Sequence, residues 1–267
     1  MSEEDVPGRL SAEQVSDYRS GGYLVCTDPV FTDEKFSALR EHAEQCYTRA
    51  GVASSGKPHQ LIDCPHWWDP SMFKWVFSEE LLDIAESLVG PDIGVFACHF
   101  LRKAAGVGKR VPWHEDSAYW KALLSPMEVA SVTVALEPAA VDNGCMRVIR
   151  GSHHHGYSDY APVEKPDENV FKVEITPEGV DESLAVDLVL DPNQASIHDV
   201  KIIHGSNPNT GPRERFAFTV RYFPTHVKFT NAMDGDFHIY LARGVDHAGN
   251  TYSDPTRAYE GRASEYT

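Results

Sequence analysis

The segment Val111-Pro112-Trp113-His114-Glu115-Asp116-Ser117-Ala118-Tyr119-Trp120 holds the residues best suited to chemistry. One residue separates His114 from Asp116, so in an extended segment both side chains leave from the same side and can grip one ion together. A second imidazole, His204, follows the strand-like run 195–200, within Ile202-Ile203-His204-Gly205-Ser206-Asn207. Two imidazoles and one carboxylate on neighbouring strands form a facial ligand set that suits Fe(II) and leaves three positions open for a cosubstrate and dioxygen. A structural zinc site would be closed instead. Arg215 opens the alternating run Arg215-Phe216-Ala217-Phe218-Thr219-Val220-Arg221. A guanidinium directed into a barrel is costly unless it meets an anion. Its planar fork matches a carboxylate bidentately, which is what a dicarboxylate cosubstrate needs.

Those groups need a scaffold. From position 93 onward the texture is of short β-like runs broken by Gly, Pro, Asn and Asp, with predicted strands at 93–101, 129–136, 146–149, 170–175, 184–190, 195–200 and 216–223. Many short strands without amphipathic helices between them predict a mainly β fold, an antiparallel sandwich or jelly roll, with opening helices packed on one sheet. The helices precede position 93. Ser11 and Gln14 form a capping box, and Gly21-Gly22 stops that helix before Tyr23-Leu24-Val25. Thr32 caps a second helix, whose Phe36, Leu39, Ala43 and Cys46 recur at three- and four-residue spacing. Ser78 caps a third, with Leu81, Ala85 and Leu88 on one face and Gly90-Pro91 at its end. The organisation expected is one domain over 1–267: a helical flank (1–92), a jelly-roll core (93–225) and a C-terminal wrap (226–267).

Composition narrows the partners. Among 267 residues, 24 basic against 40 acidic side chains give a formal charge of -16, which repels phosphate backbones and anionic bilayers. The most apolar run, 129–136, is interrupted by Ser131 and Thr133 and falls well short of the roughly 20 residues of a spanning helix. Cys26, Cys46, Cys64, Cys98 and Cys145 are odd in number, lack CxxC spacing and sit among apolar neighbours, as buried thiols in a reducing compartment do. The opening Met-Ser-Glu-Glu-Asp carries no apolar export segment. A cytoplasmic location, a small-molecule substrate and no nucleic-acid or membrane partner are expected, with a homodimer left open.

The combined motifs resemble the phytanoyl-CoA dioxygenase family of Fe(II)/2-oxoglutarate oxygenases. The resemblance is carried by Trp-His-x-Asp-x-x-Tyr-Trp at 113–120, by Asn143-Gly144-Cys145-Met146 with Gly151-Ser152-His153, and by His204-Gly205-Ser206 followed by Arg215. The helical entry and Tyr240-Leu241-Ala242-Arg243-Gly244 extend it over nearly the whole chain. It implies a double-stranded β-helix, with His114, Asp116 and His204 as ligands of Fe(II). It also implies 2-oxoglutarate and O2 as cosubstrates, Arg215 as partner of the distal carboxylate, and Ser206 as its assistant. Thr133 falls where a pocket-lining residue is expected, and Trp120 and Lys103 match the ectoine hydroxylase branch. A strand reaching from 93 to Lys103 would line one face with Ala97, His99, Leu101 and Lys103, making His99 an inward polar contact. Retention of Asp116 favours hydroxylation over halogenation, since related halogenases carry Ala or Gly there, while the ligands leave ring closure, desaturation and epimerisation open. Arg150 replaces the Pro usual before the Gly-Ser-His turn, and Asp191-Pro192-Asn193-Gln194 replaces a frequent Gly-Asp turn. Both departures bear on substrate. The substrate expected is a small polar metabolite or natural-product intermediate, such as an amino acid, a betaine or an aminophosphonate, and His99, Lys103 and Arg150 would suit an anionic group on it.

Rival features have plainer explanations. The chain has thirteen histidines, and His153-His154-His155 reads as a solvated turn. Asp234-Gly235-Asp236-Phe237-His238 lacks the remaining ligands of a calcium loop. His198 and Asp199 are adjacent on a strand and face opposite sides, so they do not share a metal. Arg213 precedes the last strand and reads as solvated, whereas Arg221 shares the parity of Arg215 and suits an inner-face ion pair. Cys98 and Cys145 read as small core residues. Trp67, Trp68 and Trp75 fit either core or pocket. Competing functions are a fatty acyl-CoA hydroxylase, disfavoured by the acidic charge, a jelly-roll protein that binds 2-oxoglutarate without turnover, and a structural module with incidental histidines.

Overall fold

The computed structural model describes residues 9–51, 60–230 and 237–259. Helix α1 (Ala12–Gly21) starts as its capping box requires: the Gln14 amide donates to the Ser11 hydroxyl, and the Ser11 amide donates back to the Gln14 side chain at 2.8 Å. Strand β1 (Tyr23–Cys26) follows, then α2 (Asp33–Ala50), capped by Thr32 and burying Leu39, Ala43, Cys46 and Tyr47. Next come β2 (Leu61–Asp63), α3 (Pro65–Trp68), α4 (Phe73–Val76) and α5 (Glu79–Val89). Ser78 holds the N-cap position of α5, but its buried hydroxyl makes no capping bond.

The β region comprises β3 (Ile93–Lys103), β4 (Val111–His114), β5 (Leu124–Ser125), β6 (Ala130–Ala135), β7 (Met146–Ile149), β8 (Tyr160–Pro162), β9 (Val173–Ile175), β10 (Ala185–Leu188), β11 (Ala195–Asp199), β12 (His204–Ser206), β13 (Arg215–Pro224), β14 (Lys228–Phe229) and β15 (Tyr240–Arg243). A short helix, α6 (Asp116–Trp120), interrupts it. The strands form a large antiparallel sheet, ordered β1-β11-β6-β13-β3-β15 with β2 also paired to β3, and a four-stranded sheet, β10-β7-β12-β4. Two small ladders, β5 with β14 and β8 with β9, complete the set. The large sheet draws β1 and β2 from the part read as helical flank, and β15 from the part read as wrap. Pairing these segments covers edges that would otherwise expose backbone donors and acceptors.

Alternation along β13 divides the large sheet into two unlike faces. Phe216, Phe218, Val220 and Tyr222 belong to the apolar core, where Leu81, Leu82, Ile84 and Ala85 of α5 are also buried. Burial of each large side chain is worth about 1.5–3 kcal/mol, so α5 is held by its apolar stripe against β3, β6 and β13. The other face carries Arg215, Thr219 and Arg221, and that face builds the site.

Candidate metal centre

His114 ends β4 directly opposite His204, the first residue of β12. The ladder then slips, pairing Ser206 with Val111, and the two imidazoles lie 4.1 Å apart. Each Nδ1 points at the carbonyl two residues earlier, Pro112 O at 2.8 Å and Ile202 O at 3.0 Å. A carbonyl only accepts, so Nδ1 carries the proton and Nε2 is left with its lone pair. The extended segment ends at Glu115, because Asp116 begins α6 rather than continuing the strand. Alternation survives that one step. Glu115 turns away to accept from the Ser158 amide at 2.8 Å, while Asp116 turns back to within 3.7 Å of His114 Nε2.

The donor atoms of His114, Asp116 and His204 all lie within 4.8 Å of one another, and all three residues are buried. Burial, reinforced by the neighbouring imidazole, pushes His114 down to about 3; burial and His198 push His204 to about 4. Both rings are therefore neutral at ordinary pH. Burial alone would raise the Asp116 carboxyl, but the Arg221 guanidinium and His198 outweigh it and hold it well below the usual range. Two neutral imidazoles and an ionised carboxylate with no proton to share is a donor set that fits a divalent iron ion.

Further along the same interior, Lys103 and Arg215 stand opposite each other on β3 and β13. Lys103 is 0% and Arg215 5% exposed. Arg215 Nη1 donates to Gly144 O at 2.8 Å, and its Nε has no partner. Lys103 Nζ donates to Ser206 Oγ at 2.7 Å and Asn207 O at 2.5 Å. Gly144 makes this packing feasible: its φ is +75°, and a Cβ there would collide with the Asn207 carbonyl. Among the described residues no carboxylate pairs with either cation. Burial pulls Arg215 down to about 10, and burial together with Arg215 pulls Lys103 to about 6. Arg215 therefore stays a buried cation without a counter-ion, poised for an anionic ligand, while Lys103 is largely neutral near pH 7 and donates to Ser206.

A polar row crosses the large sheet between these two ends. Thr133 and Thr219 are cross-strand partners with hydroxyls 2.9 Å apart, His99 lies opposite Thr219, and Asp63 lies opposite His99. Arg221 donates to Asp116 Oδ2 through Nη2 at 3.1 Å and Nε at 3.3 Å, and through Nη1 to His99 Nδ1 at 2.5 Å. Its guanidinium stacks 4.9 Å from the Trp120 ring. The inner-face ion pair expected for Arg221 is thus made with Asp116. Arg213 is exposed beside Asp142.

The fold brings His99, Lys103, Thr133, Ser206 and Arg215 to the same inner face as the triad. Arg150, in contrast, is exposed on the turn after β7. His153 bonds Arg19 O from a short turn, and His154 and His155 are exposed. Asp234-Gly235-Asp236 lies outside the described residues. Trp67 and Trp75 are buried in the main core, and Trp68 packs at its margin. All five cysteines are free thiols, and burial raises Cys98 and Cys145, the latter to about 11. No helix among the described residues is long and apolar enough to cross a membrane.

Two inner-face residues escaped the sequence reading. Asp199 does turn away from His198, accepting from the Lys201 amide, but His198 itself faces the triad. Its ring is 4.7 Å from that of His204, and its Nε2 lies 3.7 Å from Asp116 Oδ2. Neither of its nitrogens has a hydrogen-bond partner. The available signal was the shared parity of Ser196 and His198 against Ala195 and Ile197. The other is Asp63, on a strand too short to show alternation.

With this geometry in place, likeness to known proteins adds a second line. A family model described as phytanoyl-CoA dioxygenase (PhyH) matches residues 18–217. The probable alpha-ketoglutarate-dependent hypophosphite dioxygenase of Stutzerimonas stutzeri is 26% identical over 226 residues, covering 78% of this chain and 77% of that protein. The solved structure of the non-heme monooxygenase ThoJ superposes with a TM-score of 0.70 at 27% identity, covering 87% of this chain and 84% of ThoJ. EctD from S. alaskensis, solved with 2-oxoglutarate and 5-hydroxyectoine, shares the fold with a TM-score of 0.70 at 20% identity, over 86% of this chain and 81% of EctD. The chain belongs to the phytanoyl-CoA dioxygenase family of iron- and 2-oxoglutarate-dependent dioxygenases.

Proposed function

We propose that this protein hydroxylates an sp3 carbon of a small polar metabolite, consuming 2-oxoglutarate and O2 and releasing succinate and CO2. His114 Nε2, the Asp116 carboxylate and His204 Nε2 hold the iron. Bound there, iron supplies the activation of dioxygen that couples decarboxylation of 2-oxoglutarate to attack on a substrate C–H bond. The chain's own groups do the positioning. The Pro112 and Ile202 carbonyls fix both ring orientations, and Arg221 keeps Asp116 ionised. Arg215 receives the distal carboxylate of 2-oxoglutarate through its unpartnered Nε edge, and Ser206, held by Lys103, lies beside it. The two sheets close around this interior as a double-stranded β-helix forming one domain, which shields the reaction from bulk water.

One observation carries this reading: an interior with metal donors at one end and, at the other, a buried guanidinium that no carboxylate of the described residues pairs with. A dicarboxylate that also chelates the metal answers both. The formal charge of -16 disfavours the nucleotide phosphates of an acyl-CoA, and hypophosphite and 5-hydroxyectoine, the small molecules tied to two of the similar proteins, are polar. The test is anaerobic addition of Fe(II) and 2-oxoglutarate, watched for their visible charge-transfer absorbance. A panel of small polar metabolites in air then scores succinate against product mass. Absence of metal-dependent 2-oxoglutarate binding would end the proposal.

A further inference from the structure

The inner face of the large sheet carries one charge that the iron and 2-oxoglutarate scheme leaves unused. Asp63 ends β2 directly opposite His99, and such pairs share a face with Cβ atoms about 5 Å apart. Its position is fixed from both sides. Leu61 and Ile62 pair with Leu101 and Phe100, and the Cys64 amide donates to Cys98 O at 2.8 Å.

Among the described residues, every basic side chain of that face is already engaged. Arg221 donates to Asp116 and His99, Lys103 to Ser206 and Asn207, and Arg215 to Gly144. His99 Nδ1 accepts from a guanidinium that does not give up its proton, so the ring is neutral and carries its hydrogen on Nε2. Among the described residues no basic group forms an ion pair with Asp63, and its side-chain partner is the weak Cys64 thiol at 3.8 Å. Burial raises this carboxyl above the ordinary range even though Arg221 draws it down. A cationic ligand would remove that penalty.

We propose that Asp63 is the specificity-determining group of the substrate site and accepts the N–H of a protonated amine, so that the substrate is a small amino compound. The neutral His99 Nε2–H beside it donates to an oxygen of the same molecule. This inference rests on the dioxygenase reading above, and it makes a cationic group the feature recognised, in place of the anionic group that His99, Lys103 and Arg150 would suit. Lys103 is committed to the cosubstrate end, Arg150 is exposed, and His99 is neutral.

Three probes of one shape test it: cyclohexylamine, cyclohexanol and cyclohexanecarboxylate. Each is titrated calorimetrically under argon into the full chain loaded with Fe(II) and 2-oxoglutarate. The amine should bind about tenfold or more tighter than the alcohol, as a charge-assisted hydrogen bond to a half-buried carboxylate implies, and the carboxylate should bind weakest. Asp63→Asn should bring the amine close to the alcohol, while Asp63→Glu keeps part of the preference. A carboxylate that binds as well as the amine, no amine binding at millimolar concentration, or an amine preference that survives in Asp63→Asn would each overturn the proposal. The wild-type ranking decides the sign even where a variant fails to fold. Loss of the iron–2-oxoglutarate absorbance with amine preference intact would sink the dioxygenase reading and leave Asp63 in its role. An intact absorbance without that preference sinks this inference alone.

Discussion

Among the described residues, two places gather histidine, acid and further donors closely enough to hold a metal: His114-Asp116-His204 between the sheets, and His42-Cys46-Asp69 in the helical layer. Their donor types are similar, but their protons are not. In the helical cluster His42 Nδ1 accepts from Trp75 Nε1 at 2.6 Å, and Nε2 lies 3.1 Å from Asp69 Oδ2 and 3.2 Å from Ser71 Oγ. Asp69 Oδ1 accepts from both the amide and the hydroxyl of Ser71. Burial, with Asp69 adding, pushes the Cys46 thiol up to about 12, so no thiolate is on offer. Between the sheets, by contrast, both Nδ1–H groups are consumed by carbonyls and the lone pairs face one another. What marks a metal site is lone pairs turned together with no proton to accept; residue type alone does not.

The sharpest way to break that contrast is Asp116→Ala. Iron retained after desalting should vanish, and coupled succinate formation should fall by about three orders of magnitude or more; Cys46→Ala should leave both unchanged. Equal iron content in the two variants would erase the distinction. Arg221→Met comes next. Removing one partner of a buried pair leaves Asp116 uncompensated, and such breakage costs about 3–5 kcal/mol. Denaturant titration of the apoprotein should show a loss of about 3 kcal/mol, partly restored by Fe(II), because a bound cation takes over the neutralising role of the guanidinium. A variant as stable as wild type would show that the pair contributes little. Arg215→Ala should leave iron content alone and raise the KM for 2-oxoglutarate about 100-fold, or about 2.7 kcal/mol. An unchanged KM would remove Arg215 from the cosubstrate's binding site.

The same contrast explains what the sequence could disclose. His114 and Asp116 were legible because period-two alternation survives even where Glu115 ends the strand, whereas His204 and Arg215, distant in the chain, were legible through the family resemblance of their motifs. Caps at Ser11 and Thr32 were legible because both partners lie within one turn. His198 and Asp63 were not. Their roles come from register between strands far apart in the chain, His198 opposite Ser131 and Asp63 opposite His99, and nothing in a single sequence fixes such pairing. Strands β1, β2 and β15 were placed outside the core for a like reason: edge strands of three or four residues are selected by the sheet they complete.

The smallest expected effect concerns the helical cluster. His42→Ala removes the acceptor of the buried Trp75 indole N–H and a partner of Asp69, leaving a donor unsatisfied, which costs about 1–3 kcal/mol. Denaturation should therefore register about 2 kcal/mol of lost stability, while iron content, the KM for 2-oxoglutarate and succinate coupling stay at wild-type values. His42→Gln, whose amide oxygen can accept from Trp75, should recover part of the loss. Were the helical cluster a second metal site, the pattern would invert: the alanine variant would lose bound metal along with stability, and glutamine would rescue neither. Measuring metal and stability on the same two variants therefore separates a histidine held by protons from one held in readiness for an ion.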